Sequence, residues 1–274
     1  MSKKNGQGQS LKDALQSVFA TFAILIALIV SILVYIFIMG SSANFEGGNP
    51  AGHPLPGNYL AMIYKGGIIV PLLMTCVLVV LIFTIERFVM IRKARGKGRI
   101  NVFVKTIQTS LSANKIDEAI VACDKQKGSV ANVMRAGLKK YKELKEDTVL
   151  EKDQKVLALQ KDMEESTALE LPMLSKNLVI LSTLASISVL IGLIGTVLGM
   201  IKAFAALASA GSPDALALAT GISEALINTA FGITSSTLAI VFYNYFSSKI
   251  DGLTFKIDEA GFSLIQTFSQ RIKK

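Results

Sequence analysis

Two long apolar runs near the carboxyl end constrain the fold of this chain more than any other feature. They cover residues 178–208 and 213–246, with only a short break between them. Each run exceeds the roughly 20 apolar residues that an α-helix needs to span a bilayer. Ser212, Pro213 and Asp214 are typical of a helix start: a capping hydroxyl, a proline at the first helical position and an acid at the positive dipole end. The pattern therefore predicts a membrane hairpin of two antiparallel helices.

The second run carries an acid, Glu224, about ten residues inside the predicted helix. A lone carboxylate at this depth costs at least ~2.5 kcal/mol, so it needs a partner or a function. If the turn centres near residue 210, Thr196 of the first run lies at nearly the same height, given a rise of ~1.5 Å per residue. Lys202 is the nearest basic candidate, and its offset of ~7.5 Å is near the limit of a lysine side chain.

Polar and small residues in the two runs fall on helical faces. Thr220, Glu224, Asn228 and Ser235 share one stripe, and Thr229 lies toward a neighbouring face. A polar stripe on a membrane helix faces protein or water rather than lipid.

In the first run, three glycines recur on one face. Small residues at this spacing let another helix approach closely, so we expect Gly192, Gly195 and Gly199 to lie at a helix–helix contact.

These motifs resemble those of the MotA/TolQ/ExbB proton-channel family and are most similar to ExbB. The resemblance rests on GLIGTVLGMIKAF, on GISEALINTAFGITSSTLAIVFYNYF, and on the IERF ending of an earlier helix. In that family the GTVxG threonine, and the glutamate and threonine of the AEAL-x-x-TA motif, line a proton path. The resemblance implies this role for Thr196, Glu224 and Thr229, and Asn228 on the same stripe is a further pore-lining candidate. Proteins of the MotA type generally lack the glutamate, which counts against a flagellar stator.

The resemblance also implies partners. It implies a homo-oligomer, a pentamer around a central pore, that holds the single spans of an ExbD-like protein bearing an intramembrane aspartate. Protons crossing the bacterial inner membrane would drive that assembly, and the work would pass to a TonB-like protein and outer-membrane transporters. A TolQ-like role in envelope maintenance remains an alternative.

Composition favours a membrane protein with one sizeable charged segment. The chain is 51% hydrophobic with a mean hydropathy of +0.50, and its formal net charge is +9. We interpret the excess of positive charge as marking the cytoplasmic side rather than a nucleic-acid site. The basic clusters can also contact anionic lipid headgroups. Cys76 and Cys123 lie in different environments, and the chain has no phosphate loop or nucleophile elbow, so we expect no metal site, no cofactor and no enzymatic activity.

The predicted fold class is all-α: a polytopic membrane protein whose long helices extend into a cytoplasmic helical bundle. The predicted segments are a cytoplasmic amino terminus (1–17), transmembrane helix 1 (18–39), a periplasmic loop (40–66), transmembrane helix 2 (67–91), a cytoplasmic helical domain (92–177), transmembrane helix 3 (178–208), a periplasmic turn (209–212), transmembrane helix 4 (213–246) and a cytoplasmic tail (247–274). The uncharged run 18–39 is too long for a signal peptide, so we interpret it as a retained span.

Orientation follows from the Lys and Arg between the spans, which number three, one, eighteen, none and five in chain order. The positive-inside rule then places both termini and the 92–177 domain in the cytoplasm. At the end of the second span Glu86 and Arg87 form an adjacent acid and base, which we interpret as a structural ion pair at the boundary.

Two other functions remain open from the sequence. In a non-conducting scaffold, Glu224 would hydrogen-bond across the helix interface and move no protons. A secondary transporter is disfavoured because the two halves show no evident repeat and no interrupted helices.

Overall fold

A computed structural model describes residues 20–208 and 214–272 of the 274-residue chain. The helices are α1 (Ala20–Met39, π-helical over Val34–Met39), α2 (Tyr59–Tyr64), α3 (Ile69–Arg95), α4 (Ile100–Ser112), α5 (Ile116–Gln126), α6 (Ser129–Glu146), α7 (Lys152–Ser175), α8 (Leu178–Leu207) and α9 (Ala215–Arg271). Within the described ranges there is no strand, only an isolated bridge between Phe45 and Pro54. The predicted segment 1–17, the turn 209–212, and the residues Val18, Ser212 and Pro213 lie outside the described residues.

Four of these helices, α1, α3, α8 and α9, contain apolar stretches long enough to cross a membrane. Large apolar side chains on them are exposed, among them Phe22, Phe37 and Leu190. Such side chains suit a lipid environment, because a soluble protein rarely exposes large contiguous apolar patches. The prediction of an all-α, multi-pass membrane protein with four spanning helices is therefore confirmed.

The chain divides into two compact units, and the divisions fall near the ends of the apolar stretches. The first unit comprises Met1–Ile85 and Val179–Tyr243. In its described part, α8 and α9 approach with their backbones in contact. A Cβ atom added to Gly199 would lie 2.6 Å from the Ala225 nitrogen, and one added to Gly192 would lie 3.0 Å from the Asn228 carbonyl oxygen. A side chain at Gly199 would separate the helices, and one at Gly192 would require the facing backbone to shift by a few tenths of an ångström.

The segment between α1 and α3 is more ordered than its Gly- and Pro-rich sequence suggests. Asn58 caps the short helix α2 by accepting hydrogen bonds from the backbone of Leu60 and Ala61. The ring of Tyr35, in α1, stacks on Tyr64 at 4.7 Å between centroids. Gly67 follows with a φ of +79°, a conformation that favours glycine, so α3 begins at Ile69 rather than at residue 67.

The second unit comprises Glu86–Leu178 and Asn244–Lys274. Helices α4 to α7 form a bundle with the carboxyl-terminal part of α9. The phenol ring of Tyr141, 2% exposed, meets Phe268 edge to face at 4.7 Å. Helix α7 begins with a reciprocal capping box, in which the Glu151 side chain accepts from the backbone at Gln154 and the Gln154 side chain accepts from the backbone of Glu151.

Helix α9 is continuous over 57 residues, so the predicted boundary at residue 246 marks the end of the span within one helix, and the tail continues that helix. At its start, the Asp214 side chain accepts hydrogen bonds at 3.0 Å from the backbone nitrogens of Leu216 and Ala217. Asp214 therefore acts as the cap, in addition to placing a negative charge at the positive end of the helix dipole.

Candidate functional site: a polar cluster between α8 and α9

Contacts between α8 and α9 show which residues of the two antiparallel helices lie at the same height. Ser188 and Ser235 hydroxyls lie 3.0 Å apart, and Gly192 faces Gly232. Thr196 is thus level with the region of Asn228, not with Glu224. The predicted equal height of Thr196 and Glu224 is wrong by about one helical turn, ~6 Å, because these contacts put Thr196 level with residue 228 rather than with residue 224.

The hydroxyls of Thr196 and Thr229 are hydrogen-bonded to each other in the described structure. Each also lies within reach of a backbone carbonyl on its own helix, Thr196 of Gly192 at 3.1 Å and Thr229 of Ala225 at 3.1 Å. Because a hydroxyl has a single proton, one of the two donates to its backbone carbonyl while the other donates across the pair. Both side chains are partly buried. A hydroxyl can donate and accept at once, so this pair can pass a proton or solvate a charge without carrying one.

Glu224 is only 4% exposed, and its carboxylate is paired. The ammonium group of Lys202 donates to both carboxylate oxygens, at 2.7 and 2.8 Å, while 58% of the lysine side chain is exposed. The observed register places Lys202 level with about residue 222, so its offset from Glu224 is ~3 Å rather than the ~7.5 Å expected from the sequence. The ion pair compensates the charge of a carboxylate that would otherwise be isolated in an apolar unit.

Asn228 is completely buried, and along α9 it lies between Glu224 and Thr229. Its amide nitrogen donates to the Gly66 carbonyl at 2.9 Å, while its Oδ1 atom has no hydrogen-bond donor among the described residues. A buried acceptor without a donor is costly, and a water or a hydroxyl from another group satisfies it best. The amide packs tightly on α8, since a Cβ added to Gly195 would lie 2.5 Å from the Asn228 Cβ.

The loop residues Gly66 and Gly67 complete the site, and the sequence did not identify them. Gly67 stands against the Glu224 carboxylate so closely that a Cβ atom would overlap it. The available signal was the Gly-Gly pair immediately before a spanning helix, which often marks a close backbone approach.

The remaining predicted residues lie elsewhere. Thr220 donates to the Leu216 carbonyl on its own helix and takes no part in the cluster. The boundary pair forms in the second unit: Arg87, 1% exposed, donates to the two Glu86 oxygens at 2.5 and 2.6 Å and to the Leu174 carbonyl at 3.0 Å. A buried arginine with three such acceptors is fixed in place.

The part of the chain that carries this cluster resembles a known family. The sequence profile of the MotA/TolQ/ExbB proton channel family matches residues 125–259, which include α8 and most of α9. The chain is 27% identical over 158 residues to the Tol-Pal system protein TolQ of Pseudomonas aeruginosa, covering 58% of this chain and 68% of that protein.

Two further relatives carry the other name of the family. Over 88 residues the chain is 35% identical to putative biopolymer transport protein ExbB-like 3 of Synechocystis, covering 31% of this chain and 42% of that protein. Over 70 residues it is 39% identical to biopolymer transport protein ExbB of Salmonella typhimurium, covering 26% and 29%. These two matches span less than half of each relative. Residues 125–259, which carry the polar cluster, thus match the MotA/TolQ/ExbB proton channel family.

Proposed function

We propose that this protein is the channel-forming subunit of an inner-membrane complex of the ExbB–ExbD type, which couples the proton motive force to TonB-dependent transport across the outer membrane. The single observation that carries the proposal is the cluster formed by the Thr196–Thr229 hydroxyl pair, the buried Asn228 and the ion-paired Glu224. A membrane protein buries such groups together only where they are needed, because each one is costly in an apolar environment.

In this mechanism the chain supplies a path and performs no covalent chemistry. The two hydroxyls can relay a proton, since each is donor and acceptor, and the buried Asn228 oxygen adds a further acceptor on α9. Glu224 and Lys202 fix the charge at one end of the cluster. Several copies of the chain, a pentamer by family resemblance, would surround the spans of an ExbD-like partner, whose aspartate would be protonated transiently.

Orientation is part of the proposal. The positive-inside rule places both termini and the 92–177 segment in the cytoplasm, and the 40–66 segment in the periplasm. The bundle of α4 to α7 is then a cytoplasmic domain, and α1 crosses the membrane from the cytoplasm to the periplasm.

A TolQ-like role is the second candidate, favoured by the 158-residue similarity to a TolQ protein. A non-conducting scaffold is the third, favoured by the Lys202–Glu224 ion pair, which is itself a cross-helix structural contact. The ExbB-like and TolQ-like roles share the proton path and differ in the process that it drives.

The test compares Glu224→Gln with the unaltered chain in cells that depend on it. Glutamine keeps the size and much of the hydrogen bonding of Glu224 but cannot ionise. We expect energised uptake through outer-membrane transporters to be lost while the complex still assembles in the membrane. Full uptake in the variant would favour the scaffold. Normal uptake after deletion of the chain, together with an envelope defect, would favour the TolQ-like role.

A further inference from the structure

A basic cleft in the second unit has no role in the proton path. It has a volume of about 920 Å³, within the usual range for ligand sites, and lies between the end of α3, the start of α4 and the part of α9 near residue 250. All of its lining residues belong to that one unit.

The lining carries five cationic side chains: Arg92, Arg95, Arg99, Lys249 and Lys256. Among the described residues that line the cleft there is no aspartate or glutamate. Only Lys256 is ion-paired, to Glu259 at 2.7 Å, and Lys249 lies over the ring of Tyr245 at 5.4 Å. The three arginines form no ion pair with any carboxylate that the structure describes. Four of the five cations thus have no carboxylate partner in the described part of the chain, and unpaired cations gathered around a concave site favour an anionic ligand.

The cleft also has an apolar component. Phe246 and Leu253 are buried beneath it, while Phe88 and Tyr245 stand exposed at its edge, 53% and 46% respectively. The guanidinium fork of arginine suits a phosphate group, and exposed aromatic rings suit a lipid chain or its glycerol backbone. The combination fits an amphipathic anion better than an inorganic one.

Chain order places the cleft beside the bilayer. Arg92 follows directly after the apolar stretch of α3, and Phe246 closes the apolar stretch of α9. Anionic headgroups of the adjoining leaflet are therefore the most abundant phosphate groups within reach, and basic residues near such a surface are attracted to it.

We propose that this cleft binds the phosphate of an anionic phospholipid, with the arginines holding the headgroup and the aromatic edge contacting the apolar part. The site would tie the junction of α3 and α4 to α9 through one lipid molecule. It stands independently of proton conduction, because none of its residues belongs to the Thr196–Glu224 cluster.

Two kinds of variant test the site. Arg95→Gln combined with Arg99→Gln removes two charges, and Gly252→Leu fills the cleft while keeping every charge. A Cβ on Gly252 meets nothing within 4 Å, so the leucine can be accommodated without displacing the helix. Lys139→Gln combined with Lys161→Gln removes two charges from exposed positions outside the cleft and serves as the matched control.

The measurement is binding of short-chain phosphatidylglycerol to the delipidated full-length protein in detergent, followed by native mass spectrometry. Phosphatidylcholine and inorganic phosphate are the comparison probes. We expect phosphatidylglycerol to bind at least tenfold more tightly than either, and both cleft variants to weaken it roughly 10- to 30-fold, while the control binds normally.

Three results would overturn the proposal. Equal binding of phosphatidylglycerol by the cleft variants would show that the lipid binds elsewhere. Inorganic phosphate binding as tightly as the lipid would identify a soluble anion as the ligand. A changed oligomer mass in Gly252→Leu, with lipid binding intact, would show that the cleft is covered by a second copy of the chain.

Discussion

Removing the ammonium group of Lys202 tests whether the ion pair supports Glu224. Lys202→Met keeps the length and apolar stem of the side chain and leaves a carboxylate that is 4% exposed without its cation. Two unit charges ~4 Å apart attract by about 4 kcal/mol at an effective dielectric constant of 20 and about 1 kcal/mol in water. Because the Lys202 side chain is 58% exposed, its pairing energy lies between the exposed and buried limits, at about 1–3 kcal/mol.

A double-mutant cycle isolates that energy. The assay is reversible unfolding of the purified protein in mixed detergent micelles, for the unaltered chain, Lys202→Met, Glu224→Gln and the double variant. We expect the double variant to be more stable than the sum of the single changes predicts, with a coupling of about 1–2 kcal/mol. Lys202→Arg, which keeps the charge, is the control and should recover most of the stability.

Additive effects, within about 0.5 kcal/mol, would refute this reasoning, because residues that do not interact show no coupling. The Lys202–Glu224 contact would then contribute nothing measurable, and Glu224 would need another explanation for its burial.

Three other predictions follow from the described contacts. Gly195→Leu should lower stability by about 1–3 kcal/mol through overpacking against Asn228, whereas Gly252→Ala, which meets open space, should melt like the unaltered chain. Burial, with the neighbouring Asp124 charge, raises the pKa of the Cys123 thiol to about 12. Maleimide should therefore not modify this thiol in the native protein at pH 7.5, and rapid modification would show that the thiol is not buried. Orientation is tested with single cysteines placed at the exposed Asn49 or the exposed Lys139 of a chain that lacks both native cysteines. Impermeant maleimide should label the cysteine at position 49 in cells whose inner membrane is intact, and the one at position 139 only after lysis. The reverse pattern would overturn the orientation.

Much of the fold could be predicted because the responsible signals are local. Apolar runs longer than a bilayer identified the spanning helices, and small residues on one face of α8 identified the surface that packs on α9. These properties depend on hydropathy and side-chain size, which the sequence states directly. The glycine face is used within the chain itself, so the substitution Gly195→Leu acts first on the subunit and only then on any oligomer.

The site was harder to predict because it depends on register and on a distant loop. A hairpin centre displaced by two residues moved Thr196 opposite Asn228 instead of Glu224, and paired its hydroxyl with Thr229. The contact of Gly67 with Glu224 joins residues that lie 157 positions apart in the sequence, and no periodic pattern predicts it. Long-range contacts of this kind depend on how the segments pack, which hydropathy does not specify.

Proton flux through the Thr196–Thr229 hydroxyl pair tests the central claim most directly. The measurement is the rate of pH change in proteoliposomes that contain the purified complex and carry an imposed membrane potential. Thr196→Ser keeps the hydroxyl and Thr196→Val removes it at nearly constant volume. The proposed path predicts flux near the unaltered level for the serine variant and a loss of at least about tenfold for the valine variant. Equal flux in the two variants, with equal amounts of assembled complex, would contradict it.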